Sequence, residues 1–469
     1  MNKGFSLLEG IIVLAVVALA VVVITGEIIY SHQVSARSAN ISRATSLATE
    51  GIEAVRNIRT ANFFDLEDGS YGLALVDGQW SLALGVVETI DDFFQREIII
   101  FSPDTNRRQI EVAVSWLDGE DVKLATEFRN WLATVEDWTS PQYDGDFDMT
   151  AQNSGSNNHK VRSVLAKGNF LFIGNDQSAG KEFLIFDISK APQLFIKGTV
   201  DLTGSSYDIS IFQNFAFIAS SANDRELQIV NFSNISYPSF VNYFDLSGND
   251  DALSNGVNDD GNLLIVGRVG GGVYVFNIAV LSNPVLIGQI FLPGSPDIND
   301  LVVAGSDVFI AAGDGTLRVV DISEPTLPNE IAVLSLPGCD EALSLDEVDN
   351  RFYIGCSGDN NDSELFIGSV NNPAAPILLS TADVGDSSAD VNHISFASTD
   401  RLAFLLTGDT AKDFQIWDVS NELAPFLLSL TDLNGSPSQA DYSPLAQKMF
   451  VGLTSNPEIQ IVAPELIYE

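Results

Sequence analysis

Residues 5–26, FSLLEGIIVLAVVALAVVVITG, form an apolar run interrupted by a single charge, Glu9. A run of that length predicts a helix able to span a bilayer. Beyond it the pattern stays helical and turns amphipathic, with Ile41, Ala44, Leu47, Ala48, Ile52 and Val55 spaced by three and four. One helix over about residues 5–58 is therefore expected, with Gly26 and Gly51 as its weak points. From residue 70 to 135 the period changes to two, in YGLALV, WSLALGVV, REIIIF, QIEVAVSWL and VKLATEF, separated by DG, PDTN and DGED turns. This predicts several strands. Residues 136–159, rich in Asp, Ser, Asn and Gly, read as a linker.

After residue 160 one unit recurs. Its clearest strand is FLIFDIS from Phe183, LQIVNFS from Leu227, VYVFNIA from Val273, LRVVDIS from Leu317, LFIGSVN from Leu365, FQIWDVS from Phe414 and IQIVAPE from Ile459. The fifth residues, from Asp187 to Ala463, are separated by 44, 46, 44, 48, 49 and 45, a period that marks propeller blades. Each unit has a second strand upstream, such as LFIGND or FYIGCS, apolar on both faces as a strand sandwiched between blades requires. A Pro follows the Asp or Asn: Pro192, Pro238, Pro284, Pro328, Pro376 and Pro425. The Asx side chain closes a turn, and the Pro opens the outermost strand, where no neighbour needs its missing donor. The seventh unit lacks the Asp-Ile-Ser turn and an outer strand; a segment around residues 140–160 is the candidate to supply that strand and close the ring.

Charge narrows the function. The chain carries 63 acidic and 23 basic residues, 45 and 13 of them after residue 135, for a formal net charge of −40. No nucleic-acid partner is expected, because such binding needs clustered Lys and Arg. The acidic coat is read as solvated surface. The same holds for DGDFD at 144–148 and for GNDDALSNGVNDDGN and SGDNNDSE, which lack the full ligand pattern of a calcium loop. The histidines are His32, His159 and His393, with no HExxH, GxSxG, CxxC or P-loop. No enzyme activity and no cofactor are expected. The two cysteines, Cys339 before the innermost strand of the fifth unit and Cys356 at the end of the next strand, return side by side across a turn near Asp349 and are expected to form a disulfide.

The N-terminal KGFSLLEG closely resembles the signal of type IV prepilins and type II secretion pseudopilins. That resemblance implies a leader of residues 1–4, cleavage by a prepilin peptidase between Gly4 and Phe5, methylation of the new N-terminus, and assembly through Glu9. A lone carboxylate in an apolar helix needs such a partner. It implies an α+β pilin domain, a long N-terminal helix (5–26 for membrane and assembly, 27–58 amphipathic) packed on a small antiparallel sheet (59–135). The repeats at 160–469 resemble the LVIVD repeat and imply an all-β seven-bladed β-propeller. The expected function is a structural subunit of a type IV pilus-like extracellular filament that displays the propeller for adhesion or for protein or glycan binding. Its expected partners are other pilin subunits, the prepilin peptidase, the inner membrane before assembly, and a surface, glycan or protein ligand. The expected location is the cytoplasmic membrane first, then the extracellular pilus or cell surface. The alternatives are a pseudopilin-like component of a secretion or DNA-uptake machine and, third, a pilin-anchored extracellular hydrolase.

Overall fold

The structure, a computed structural model, describes residues 7–469 except 62, 64–65, 77–78, 92, 105–106, 117–120, 130–133, 150–159, 178–180, 247, 359–362, 386–389, 398–400, 410–411 and 469. Of residues 7–24, 26–29, 32–33, 36, 60–61, 75–76, 79, 103–104, 129, 134–135 and 467–468 it describes the backbone alone. The chain divides into two compact units, Met1–Ala133 and Thr134–Glu469.

The first unit holds α1 (Leu7–Ala61) and strands β1 (Gly69–Val76), β2 (Gln79–Leu84), β3 (Glu88–Ile90), β4 (Phe94–Asp104), β5 (Arg107–Trp116) and β6 (Asp121–Arg129). The strands form one antiparallel sheet in the order β2-β1-β4-β5-β6, with β3 on β4. The period-two pattern has a direct result in β5, where Ile110, Val112, Val114 and Trp116 all point inward. They share a core with Ala44, Leu47, Ala48, Ala54, Val55 and Ile58 of α1. Gly51 is where helix and sheet come closest: a Cβ there would lie 2.9 Å from a Val112 methyl. Arg96 is buried, and its guanidinium donates to the Leu47 carbonyl at 2.9 Å and to Glu88 at 2.9 and 2.7 Å.

Two expectations are corrected here. The expected fold class, an α+β pilin domain ahead of the ring, gives way to a chain that is nearly all β, with one helix against 34 strands among the described residues. In the first unit the helix lends one stripe, Ala44 to Ile58, to a core drawn otherwise mainly from strands. Among the described residues no helix is long and apolar enough to cross a membrane. The expected membrane stage therefore finds no support among the described residues.

The second unit is seven four-stranded sheets in sequence order, numbered here as blades 1 to 7. The innermost strands are Val161–Lys167, Ser206–Phe212, Ala252–Val257, Ile298–Ala304, Glu341–Val348, Val391–Ala397 and Pro437–Ser443. Each packs beside the next, and the last returns to the first, so the ring is closed. The repeated strand of the sequence is third in each blade, and its Asx residue turns the chain: Asp187, Asn231, Asn277, Asp321 and Asp418 each accept a backbone N–H two residues on.

Blade 7 takes its outer strand from the start of the unit. Strand β7 (Thr134–Phe147) pairs with Ile459–Tyr468, from Thr134 opposite Tyr468 to Phe147 opposite Ile459. The stretch expected as a linker over 136–159 is therefore strand as far as Phe147. Its mixed composition follows from an outermost position that leaves much of it facing water, and register shifts at Ile461/Val462 and Ala463/Glu465 blur its period. Trp138 anchors it, buried edge-on against Phe404 and Tyr442. At the same joint a Cβ on Gly452 would lie 2.3 Å from Val161, so the bare glycine lets blade 7 reach blade 1.

Candidate functional site

Two sets of loops share one face of the ring: those joining the second and third strands of each blade, and those joining each outer strand to the next innermost strand. Backbone bonds rivet the two sets together at every blade, for example Asp176 N to Lys160 O at 2.8 Å, Gly313 N to Asp297 O at 2.9 Å and Thr454 N to Ser436 O at 2.9 Å. Beneath them lies a second repeated device. In five blades the residue just before the third strand is a buried acid: Glu182, Glu226, Glu364, Asp413 and Glu458. Each accepts the backbone N–H that starts the outgoing loop, from Leu202, Leu246, Val384, Leu433 and Met149 at 2.7–3.1 Å. Blades 3 and 4 have Gly271 and Gly315 instead, and there the glycine carbonyl accepts the equivalent N–H, from Leu292 and Leu336. An orphan donor at a buried loop start needs an acceptor, and either group satisfies it. Burial pushes Asp413 up to about 6.

Innermost strands of neighbouring blades lie side by side without a backbone ladder, and polar side chains bridge every seam. Asp208 accepts from Asn255 N at 2.7 Å, Asp300 from Leu345 N at 2.8 Å, Asp346 from Phe396 N at 3.1 Å and Asp441 from Ala166 N at 2.8 Å. Ser163 and Ser254 donate to Ser206 O and Ile298 O, and the ring of His393 meets Ala440 O at 2.8 Å. Burial pushes His393 down to about 4, so it stands neutral and Nε2 carries the donating proton.

These strands enclose a cavity of about 390 Å³ at the riveted face, lined among others by Arg162, Asp208, Asn299, Asp300, His393 and Gln439. Arg162 is held by Asp176 in a two-pronged pair at 2.6 and 2.9 Å. Burial alone would raise Asp176, but that guanidinium more than offsets it and keeps the carboxyl below its usual range. A second groove of about 450 Å³ adjoins the first through Asn392 and Pro437 and runs out past Thr407, Asp409, Asn434 and Ser455. The combined surface offers amide, hydroxyl and carboxylate groups on a rigid frame, which is the chemistry of polar-ligand recognition.

Of the residues singled out in the sequence, Gly4 and Phe5 lie outside the described residues, and Glu9 lies within α1 with its side chain outside them. Cys339 and Cys356 form a disulfide with a Cα separation of 5.5 Å, inside blade 5 and away from the cavity lining. In the acidic runs, Asp144 pairs with Lys448 at 2.8 Å and Asp250 with Arg268 at 3.0 Å. Among the described residues no group of three His, Cys, Asp or Glu side chains is placed to hold a metal. The cavity residues carry no repeating signal, because the blades contribute different numbers of them with different identities. The buried acid before the third strand was visible all along, as E or D in EFLIFD, ELQIVN, ELFIGS, DFQIWD and EIQIVA.

The LVIVD repeat profile matches residues 159–202, 203–245 and 297–334. No curated protein matches the chain. A chain from the crystal structure of a mitotic checkpoint complex is similar at 12% identity with a TM-score of 0.54, over 72% of this chain and 98% of that one; this shows the fold alone. The repeat matches lie wholly in the second unit and carry nothing about the prepilin resemblance. The chain contains LVIVD repeats, and its seven four-stranded sheets make a β-propeller-like ring.

Proposed function

We propose that the protein is a binding subunit of a pilus-like filament: the propeller recognises a glycan or protein ligand, and the first unit joins it to other subunits. The observation that carries the binding half is the polar cavity at the riveted face with its adjoining groove, since rigid strand ends holding converging amides and hydroxyls suit recognition. The absence of nucleophile, metal and phosphate motifs from the sequence favours binding over turnover. The filament half rests on KGFSLLEG alone, with prepilin peptidase as the processing partner.

A panel of polysaccharides and secreted proteins, probed with the whole chain and with the Asn299→Ala/Gln439→Ala variant, tests the binding half. Retention of a ligand by the wild type and at least tenfold weaker retention by the variant is expected. Equal retention by both, or hydrolysis of any panel member, would overturn it. The filament half is tested by sequencing the N-terminus of the mature protein, which is expected to begin at methylated Phe5; an intact Met1 would defeat it.

A further inference from the structure

Four carboxylates bridge seams between the innermost strands, which ring the channel of the propeller, and Asp208 and Asp300 line its cavity. Asp208 joins blade 2 to 3, Asp300 joins 4 to 5, Asp346 joins 5 to 6, and Asp441 joins 7 to 1, the joint where the chain closes on itself. All are surrounded by protein yet partly accessible from the channel. Asp208 raises Asp300 by like-charge repulsion, as does Asp346, and Asp441 acts on Asp346 in the same way. The other titratable groups near them are Arg162, Tyr207 and His393, which line the cavity with Asp208 and Asp300, and Glu347 and Tyr353, which interact with Asp346. Arg162 is already engaged by Asp176, His393 is neutral, and Glu347 adds a further negative charge beside Asp346. When every carboxyl is ionised, negative charge is therefore concentrated around the channel with little opposing it.

We propose that these seam carboxyls form an acid-tightened latch: their protonation strengthens the closed ring, and their ionisation loosens it. In Asp208, Asp300 and Asp441 one oxygen keeps the N–H bond across the seam, and the other, which accepts from Ile209 N, Leu301 N or Ser395 Oγ, has a second lone pair to take the proton, so acid removes repulsion without breaking the bridge. Burial, first, and then neighbouring carboxylates push Asp300 up to about 8 and Asp346 to about 7, and burial alone pushes Asp441 to about 7 and Asp208 to about 6. Carboxyls raised in the folded state contribute stability that is fully present below their unfolded range near 4 and is lost as pH rises through these values.

The test is the thermal unfolding midpoint of the whole chain between pH 8.5 and 5.5, for wild type, the quadruple Asp208→Asn/Asp300→Asn/Asp346→Asn/Asp441→Asn variant, and a surface control, Asp259→Asn/Asp260→Asn. The wild type and the control should gain several degrees on acidification, and the quadruple variant less than half as much. The gain should persist in 1 M NaCl, because salt screens exposed charges far more than enclosed ones. An unchanged gain in the quadruple variant, or its loss in salt, would assign the effect to the acidic surface and overturn the latch. If the quadruple variant does not fold, Asp300→Asn and Asp441→Asn singly decide: each should raise the midpoint at pH 8.5, and a fall at that pH sinks the proposal.

Discussion

Among the described residues the first unit buries arginines and no acids, whereas the second buries mostly acids, with Arg268 and Arg318 beside them. In the first, Arg96 and Arg108 go into the interior and donate to backbone carbonyls, Leu47 at 2.9 Å and Leu66 at 2.7 Å. In the second, buried acids such as Glu226 and Asp413 accept from backbone N–H groups at loop starts. The difference follows the backbone group that each charge meets. In the first unit it is a carbonyl, of α1 at Leu47 and of the segment after the helix at Leu66. Where outer strands give way to loops beneath a riveted face, N–H groups turn inward and call for acceptors. The sign of a buried charge is thus set by local backbone accounting, and the acid excess of the second unit is partly structural.

The comparison can be attacked first at its strongest point. Arg96→Met should destabilise the first unit by about 3 kcal/mol, because it strips both the Leu47 carbonyl and Glu88 of a partner, and Arg96→Lys should recover part of the loss. A cost below 1 kcal/mol by chemical denaturation would mean that the buried cation is incidental.

Gly315→Ala sharpens the contrast among blades. Gly315 has φ +70°, and a Cβ there would lie 2.0 Å from the Cys339 carbonyl oxygen. A cost of about 2–3 kcal/mol is expected. An alanine tolerated without loss would show that blade 4 does not need a glycine for its φ or for the close approach of Cys339.

Asp413→Ala should cost about 1–2 kcal/mol by orphaning Leu433 N, whereas Asp413→Asn, which keeps an acceptor, should cost much less. Equal costs would deny that acceptance is the role. The smallest effect is the pH dependence of the same residue. With its folded value raised to about 6, its contribution is present below about 4 and fades as pH rises through 6. Asp413→Asn should therefore flatten the stability profile between pH 4 and 7 by about 1 kcal/mol, measured by urea unfolding at each pH.

Much of the ring was readable without coordinates. The third strands, the apolar second strands, the Asx turns at Asp187 through Asp418 and the Pro before the outer strands are all local signals that recur at one period. The site was not readable. Asp208, Asp300 and His393 occupy equivalent places on three innermost strands, but the other blades put Ser163, Ser254, Ser344 and Gln439 there, so repetition does not expose them. The first unit shows the reverse failure: a vivid N-terminal pattern suggested a membrane helix and a pilin domain, while the described residues hold no membrane-spanning helix and one helix on a sheet.

By itself the sequence determined how many blades there are, where their strands run and how each turns, because those depend on neighbours a few residues apart. The sequence offered a segment around residues 140–160 to close the ring; only the tertiary structure decided that the closing strand is β7, Thr134–Phe147, followed by the bond from Met149 N to Glu458 across a separation of 309. It also decided which acids would lie buried in the seams. Both outcomes follow from ring closure, which brings together backbone donors and carboxylates that no local period relates.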